Sequence, residues 1–154
     1  MTTPLEPTFR VAGEPDTDTI LTFMPLLYAQ DGLSFDEAKA RATLTGVLRD
    51  RSLGRVWMIH AGAQPIGYMI LTLGYSLEYR GRDAFVDELF LLESHRGRGI
   101  GRKAMQVLEQ ACRELDVRAL HLEVERPNVA AQTLYRKLGF VDHERYLMTK
   151  AIRD

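Results

Sequence analysis

Apolar and polar positions along the chain change rhythm twice. Residues 9–12 alternate over a short run, which predicts a first strand. Over residues 16–30, Ile20, Leu21, Met24, Leu27 and Tyr28 recur at helical spacing. That predicts a helix, with a kink or break at Pro25 because proline donates no backbone hydrogen bond. Ser34-Phe35-Asp36-Glu37 fits a capping box, with Ser34 as N-cap and Glu37 reaching back, opening a second helix to about Asp50. Strand-like segments follow at 55–60, 65–75 and 84–92, separated by turns at 61–64 and 76–82. Three successive strands with short turns predict an antiparallel meander.

The second change comes at Gly99. Ile100, Ala104, Val107, Leu108, Ala111 and Leu115 form one stripe, which predicts a helix over 99–115. Residues 117–124 alternate again as a strand, and strand–helix–strand order predicts a parallel pair. Asn128 can cap a helix over 129–138, with Gly139 as its left-handed stop. Closing strands are expected at 140–141 and 144–150. The predicted architecture is a single α/β domain over 1–154. Its central mixed sheet is mostly antiparallel with a parallel pair, and it carries about four helices.

Composition narrows the function classes. A chain of 154 residues buries roughly 70% of its unfolded surface, enough for a core without staples. Lys plus Arg total 20 and Asp plus Glu 21, so bulk electrostatic attraction to nucleic acid is not expected. The single cysteine, Cys112, forms no intrachain disulfide, reads as a small core residue and fits a reducing cytoplasm. The first seven residues show neither a basic nor an apolar run, so no signal peptide is expected. No apolar stretch approaches the ~20 residues of a membrane span. His60, His95, His121 and His143 lack metal-ligand spacing, and no metal is expected.

The chemistry concentrates at Arg96-Gly97-Arg98-Gly99-Ile100-Gly101, between a strand and a helix. Glycines let the chain bend and let a ligand approach. The first helical turn offers unpaired N–H groups and a partial positive charge, an anion site suited to a pyrophosphate. Arg96, Arg98, Arg102 and Lys103 add charge. The segment lacks the Gly-Lys-Ser/Thr ending of a Walker loop, and Arg102 stands where a dinucleotide fingerprint needs its third glycine. Without interleaved aromatics, these basic residues do not make a nucleic-acid platform either.

What the segment does match is Arg/Gln-x-x-Gly-x-Gly/Ala, preceded by Phe85-Val86-Asp87-Glu88-Leu89-Phe90-Leu91. A second block follows at 128–140, with Asn128, Ala131, Leu134, Tyr135, Lys137, Gly139 and Phe140 at the spacing N-x-x-A-x-x-L-Y-x-K-x-G-F. Together these resemble the GNAT superfamily of N-acetyltransferases. The layout of 67–101 is similar to diamine and polyamine-type members and to uncharacterised bacterial ones.

The resemblance implies an acetyl-CoA-dependent transfer to a primary amine of a small molecule, by direct attack in a ternary complex. It implies that acetyl-CoA lies where the strands at 84–92 and 117–124 diverge. The arm would lie along Leu89, Phe90 and Leu91, pairing with backbone of Leu89 and Leu91. The pyrophosphate would sit on residues 96–101, with Arg102 adjoining. Arg96 in this family often supports the loop itself. Asn128 both caps its helix and is expected at the cofactor arm. Asp87 and Glu88 are the candidate bases, Asp87 slightly favoured; strand alternation lets only one face the acceptor. Tyr135 is the expected acid for the thiolate, and it also counts among the cofactor-binding residues. The stretch 74–83, with Glu78, Asp83 and its tyrosines, is a candidate acceptor surface. A homodimer formed through sheet edges or the 144–152 strand is also implied. Alternatives are a protein lysine or aminoglycoside acceptor, and a non-catalytic acyl-CoA-binding sensor.

Overall fold

The meander predicted from the alternating middle of the chain forms the body of the sheet. The computed structural model describes residues 6–153; the opening of the chain, part of the stretch judged to lack signal-peptide features, falls largely outside them. Two compact units emerge, Met1–Glu123 and Val124–Asp154.

In the first unit, β1 (Pro7–Val11), β2 (Gly54–Ala61), β3 (Gln64–Ser76) and β4 (Gly81–Leu91) pair antiparallel in sequence order. β5 (Ala119–His121) pairs parallel to β4. Strand alternation sends Val56, Met58, Tyr68, Ile70 and Phe90 to one face. There they pack with Ile20, Leu21, Phe23 and Met24 of α1 (Thr17–Gln30) and Leu44 of α2 (Glu37–Arg49). On the other face Ile59 and Ile66 pack with Ile100, the first residue of α3 (Ile100–Glu114). The buried stripe of α3 is Ile100, Ala104, Met105, Leu108 and Cys112, so Cys112 is the core residue its sequence context suggested. Burial pushes its thiol up to about 11.

Several local expectations need correction. α1 runs without a break through Pro25. An interior proline costs about 3 kcal/mol, and burial of Ile20, Leu21, Phe23 and Met24 holds the helix against that cost. The N-cap of α2 is Asp36, not Ser34: in extended conformation, its side chain accepts from the Lys39 N–H at 3.1 Å. Both residues are good caps, and starting the helix later leaves Ser34 and Phe35 free to line a cavity.

β5 is also shorter than the predicted 117–124. Its ladder with β4 ends at Phe85↔His121, just before the register of β4 against β3 shifts. A bulge bends a strand away from straight pairing, which ends the parallel ladder there.

In the second unit, α4 (Val129–Lys137) is capped by Asn128, whose Oδ1 accepts from the Ala131 N–H at 3.2 Å. Gly139, at φ 97°, ends it as expected, and the Phe140 N–H returns to the Tyr135 carbonyl at 3.0 Å. The expected closing strands at 140–141 and 144–150 do not form among the described residues. An extended segment becomes a strand only when a neighbour pairs its backbone. Here Tyr146, Leu147, Met148 and Ile152 are largely exposed.

Candidate active site

The register of β3 against β4 sets the chemistry. Ile70 stands opposite Glu88 and Leu71 opposite Val86, so Asp87 is the extra residue of a β-bulge. Simple alternation would send Asp87 and Glu88 to opposite faces. The bulge breaks it, and both carboxylates line one cavity of about 440 Å³ on the α1/α2 side of the sheet. The expectation that strand alternation sends the two to opposite faces is therefore corrected.

Glu88 is held from two directions. Tyr68, on the neighbouring strand, donates to its Oε1 at 2.7 Å, and Tyr28, near the end of α1, donates to its Oε2 at 2.8 Å. Burial pushes the Glu88 carboxyl up, partly offset by these two bonds, which favour the charged form. Both phenols are themselves raised, by burial first and by Glu88 next. Asp87 sits at the surface of the cavity, and desolvation raises its carboxyl too. Asp36 and Lys39 complete the charged lining, giving three acids against one lysine. Phe35, Met24 and Val47 supply apolar wall.

Beyond the bulge, β4 presents an open edge. The Leu92 N–H donates to the Ile66 carbonyl at 2.8 Å. Counting back in twos, Phe90 and Glu88 turn their backbone groups to β3, while Leu91 and Leu89 turn theirs the other way. Among the described residues no strand pairs with the side of β4 away from β3 beyond Phe85. Leu89 and Leu91 are thus placed as a backbone-pairing edge, whereas Phe90 is committed to β3 and puts its ring in the core.

The glycine loop follows directly. Gly97 and Gly99 have φ of 74° and 80°, a left-handed conformation that side chains resist. Gly99 is the N-cap of α3, so the first-turn amides from Ile100 onward lack helical acceptors. Gly101 lies inside the first turn, where an added Cβ would meet nothing within 4 Å.

Arg96 is a strut of this loop. Its Nε donates to the Leu91 carbonyl at 2.9 Å, and its guanidinium lies 5.8 Å from the centroid of the Phe90 ring. With its amide oxygen turned inward, Gln30 accepts from Arg96 Nη1 at 3.0 Å. Arg98 and Arg102 are exposed at the same loop, and Lys103 pairs with Glu6. In the second unit, Tyr135 is raised by burial and packs edge-on to Phe140 at 5.9 Å.

The sequence reading missed Tyr28, Tyr68, Phe35 and Asp36, which line or support the cavity. It placed acceptor chemistry at 74–83, none of which lines the cavity. There Asp83 pairs with His121 at 3.1 Å, Tyr79 packs on the His121 ring at 5.1 Å, and Tyr75 is largely exposed.

A family model described as "Acetyltransferase (GNAT) family" matches residues 22–140. The sequence is 29% identical over 77 residues to thialysine N-epsilon-acetyltransferase of Bos taurus, covering 50% of this chain and 45% of that protein. The chain spans less than half the length of the curated relatives it matches, 38–45%. An integron cassette protein, HFX_CASS3, from the Cole Harbour salt marsh metagenome superposes with a TM-score of 0.84 at 33% identity, covering 95% of this chain and 91% of that one. A predicted acetyltransferase of Clostridium acetobutylicum, solved with acetyl-CoA, superposes with a TM-score of 0.80 at 16% identity, covering 94% and 96%. With the family model covering most of its length and the mixed sheet carrying its parallel β4–β5 pair, the chain belongs to the GNAT acetyltransferase family.

Proposed function

We propose that the protein is an N-acetyltransferase that moves the acetyl group of acetyl-CoA to a primary amine of a small molecule, by direct attack in a ternary complex. The observation that carries this reading is the bulge at Asp87. It brings two carboxylates to one cavity wall and ends the β4–β5 ladder, leaving the edge of Leu89 and Leu91 open beside them.

The residues present suit acetyl-CoA as co-substrate. First-turn amides of α3, the left-handed bends at Gly97 and Gly99, and the exposed Arg98 and Arg102 suit a diphosphate. Gly101 leaves room for close approach. Leu89 and Leu91 offer a backbone edge to an amide-bearing arm. Arg96 shapes the loop from behind, through Leu91, Phe90 and Gln30. Bound acetyl-CoA supplies the activated thioester carbonyl. Asn128 contributes at the arm besides capping α4.

The acceptor arrives as an ammonium, with a pKa near 10.4 in water. Glu88, fixed by Tyr28 and Tyr68, is the stationary negative charge that receives it. Asp87 lies at the surface of the cavity, within reach of water, and desolvation raises its carboxyl, while Glu88 is tied to two phenols, so Asp87 is the proton acceptor. It takes one proton from the ammonium before attack, freeing the lone pair that forms the new C–N bond, and the nitrogen's second proton passes to solvent water as the thiolate leaves. Tyr135 donates a proton to the departing thiolate, and its raised phenol stays protonated at neutral pH. An acid-rich, partly apolar cavity of about 440 Å³ favours a small cationic amine over a bulky polar one. The bovine relative, named for thialysine N-epsilon-acetylation, points to the same acceptor class.

Free thiol released from acetyl-CoA on addition of diamines, polyamines, amino acids, aminoglycosides and peptides tests this reading. Turnover with small primary amines is expected. Acetyl-CoA binding without thiol release across the panel would instead identify a sensor module.

The exposed Tyr146, Leu147, Met148 and Ile152 favour one addition, a homodimer in which this segment pairs with a second copy. Light scattering should give twice the chain mass; a monomer at micromolar concentration would refute it.

A further inference from the structure

The face of the sheet opposite the acid-lined cavity carries a second cavity, of about 510 Å³, between β1, the start of β2 and α3. Strand alternation puts Arg55 and Trp57 on this face, since Val56 and Met58 belong to the other. Phe9, Val11, Trp57 and Val107 form its apolar wall, with Trp57 almost fully buried.

Its charge is not balanced from within. Arg55 lies half-buried and, among the described residues, donates only to the carbonyls of Arg51 and Gly54. Neither Arg51 nor Arg55 has an ion pair among the described residues. Arg82 adds like charge nearby and donates to the Leu115 carbonyl at 3.1 Å. Desolvation, then repulsion by Arg51 and Arg82, lowers the Arg55 pKa. The other charges facing the cavity are Lys103, neutralised by Glu6, and Glu114, which accepts from Gln110 at 3.2 Å. Two guanidinium groups that form no ion pair among the described residues, against the single lining carboxylate of Glu114 and beside an apolar wall, are the chemistry of an anion carried on an apolar body.

We propose that this cavity binds a small organic anion, a carboxylate or sulfonate on a hydrocarbon or aromatic body, with Arg55 and Arg51 holding the anionic group and Phe9, Val11 and Trp57 the body. The site is separate from the one that holds acetyl-CoA and the amine, and it stands whether or not those assignments hold.

Trp57 is the single tryptophan, so its fluorescence reports occupancy directly. The probe is 4-cyclohexylbutyrate, which does not absorb where tryptophan does; the control is its neutral amide. A saturable change is expected below millimolar carboxylate, at least tenfold weaker for the amide. Arg55→Gln should weaken binding about tenfold. Arg51→Gln, at an exposed position, should weaken it in the same direction if the Arg55 variant folds poorly. Saturating CoA should leave the titration unchanged. No saturable change, equal binding of acid and amide, or displacement by CoA would each overturn the proposal.

Discussion

The Tyr68 hydroxyl donates to Glu88 Oε1 at 2.7 Å across adjacent strands, from a ring that is fully buried. The bond satisfies a buried phenol and favours the charged carboxylate. Tyr68→Phe strips one donor from a desolvated oxygen and should cost about 1–3 kcal/mol near pH 7. Glu88 then ionises less readily, so the deficit should shrink toward pH 4, where the carboxyl is protonated. Urea unfolding at both pH values checks this.

Glu88 also sets a pH dependence of stability. Its folded pKa is raised, so its contribution is fully present below the unfolded value of about 4.3 and is lost as pH rises through the folded value. Glu88→Gln should flatten that portion of the stability–pH curve. The same variant should raise KM for the amine more than it lowers kcat, because it removes the fixed charge that receives the ammonium.

Asp87→Asn separates the roles of the two acids. Loss of the base should lower kcat by ~10²–10⁴ and remove the acid limb of the kcat–pH profile while leaving the affinity for CoA unchanged. Wild-type turnover in the asparagine variant would move the base to Glu88.

Tyr135→Phe should lower kcat by a similar ~10²–10⁴, and the loss should lessen with thioesters whose thiol is more acidic. Unchanged turnover would remove the acid role and leave Tyr135 as the packing partner of Phe140.

Much of the fold was legible because it rests on local rhythm. The strands around Val56 and Tyr68 alternate with a period of two, and α3 shows its apolar stripe plainly. The glycine loop was legible because its left-handed backbone at Gly97 and Gly99 demands glycine twice within three residues. The rest depended on distant pairings. Tyr28 and Tyr68 lie 60 and 20 residues from Glu88 in sequence, and no local pattern ties them to it. The bulge at Asp87 shows only in the register against β3, so neither the shared face of the acid pair nor the early end of β5 could be read from β4 alone. Ser34 and Asp36 are near-equal caps, and local chemistry does not choose between them.

The central claim is that the turn opening α3 is shaped for a diphosphate, and Gly101→Ala tests it most directly. The added methyl meets no protein atom within 4 Å, and alanine in place of a helical glycine should stabilise the fold by up to about 1 kcal/mol. The site reading predicts the opposite for the ligand, because the methyl stands where the diphosphate must approach. Calorimetric titration with CoA should show one site per chain in the wild type and at least ~10-fold weaker binding in the alanine variant, with an equal or higher melting temperature. Equal CoA affinity in the two proteins, or no heat from the wild type at millimolar CoA, would contradict the account.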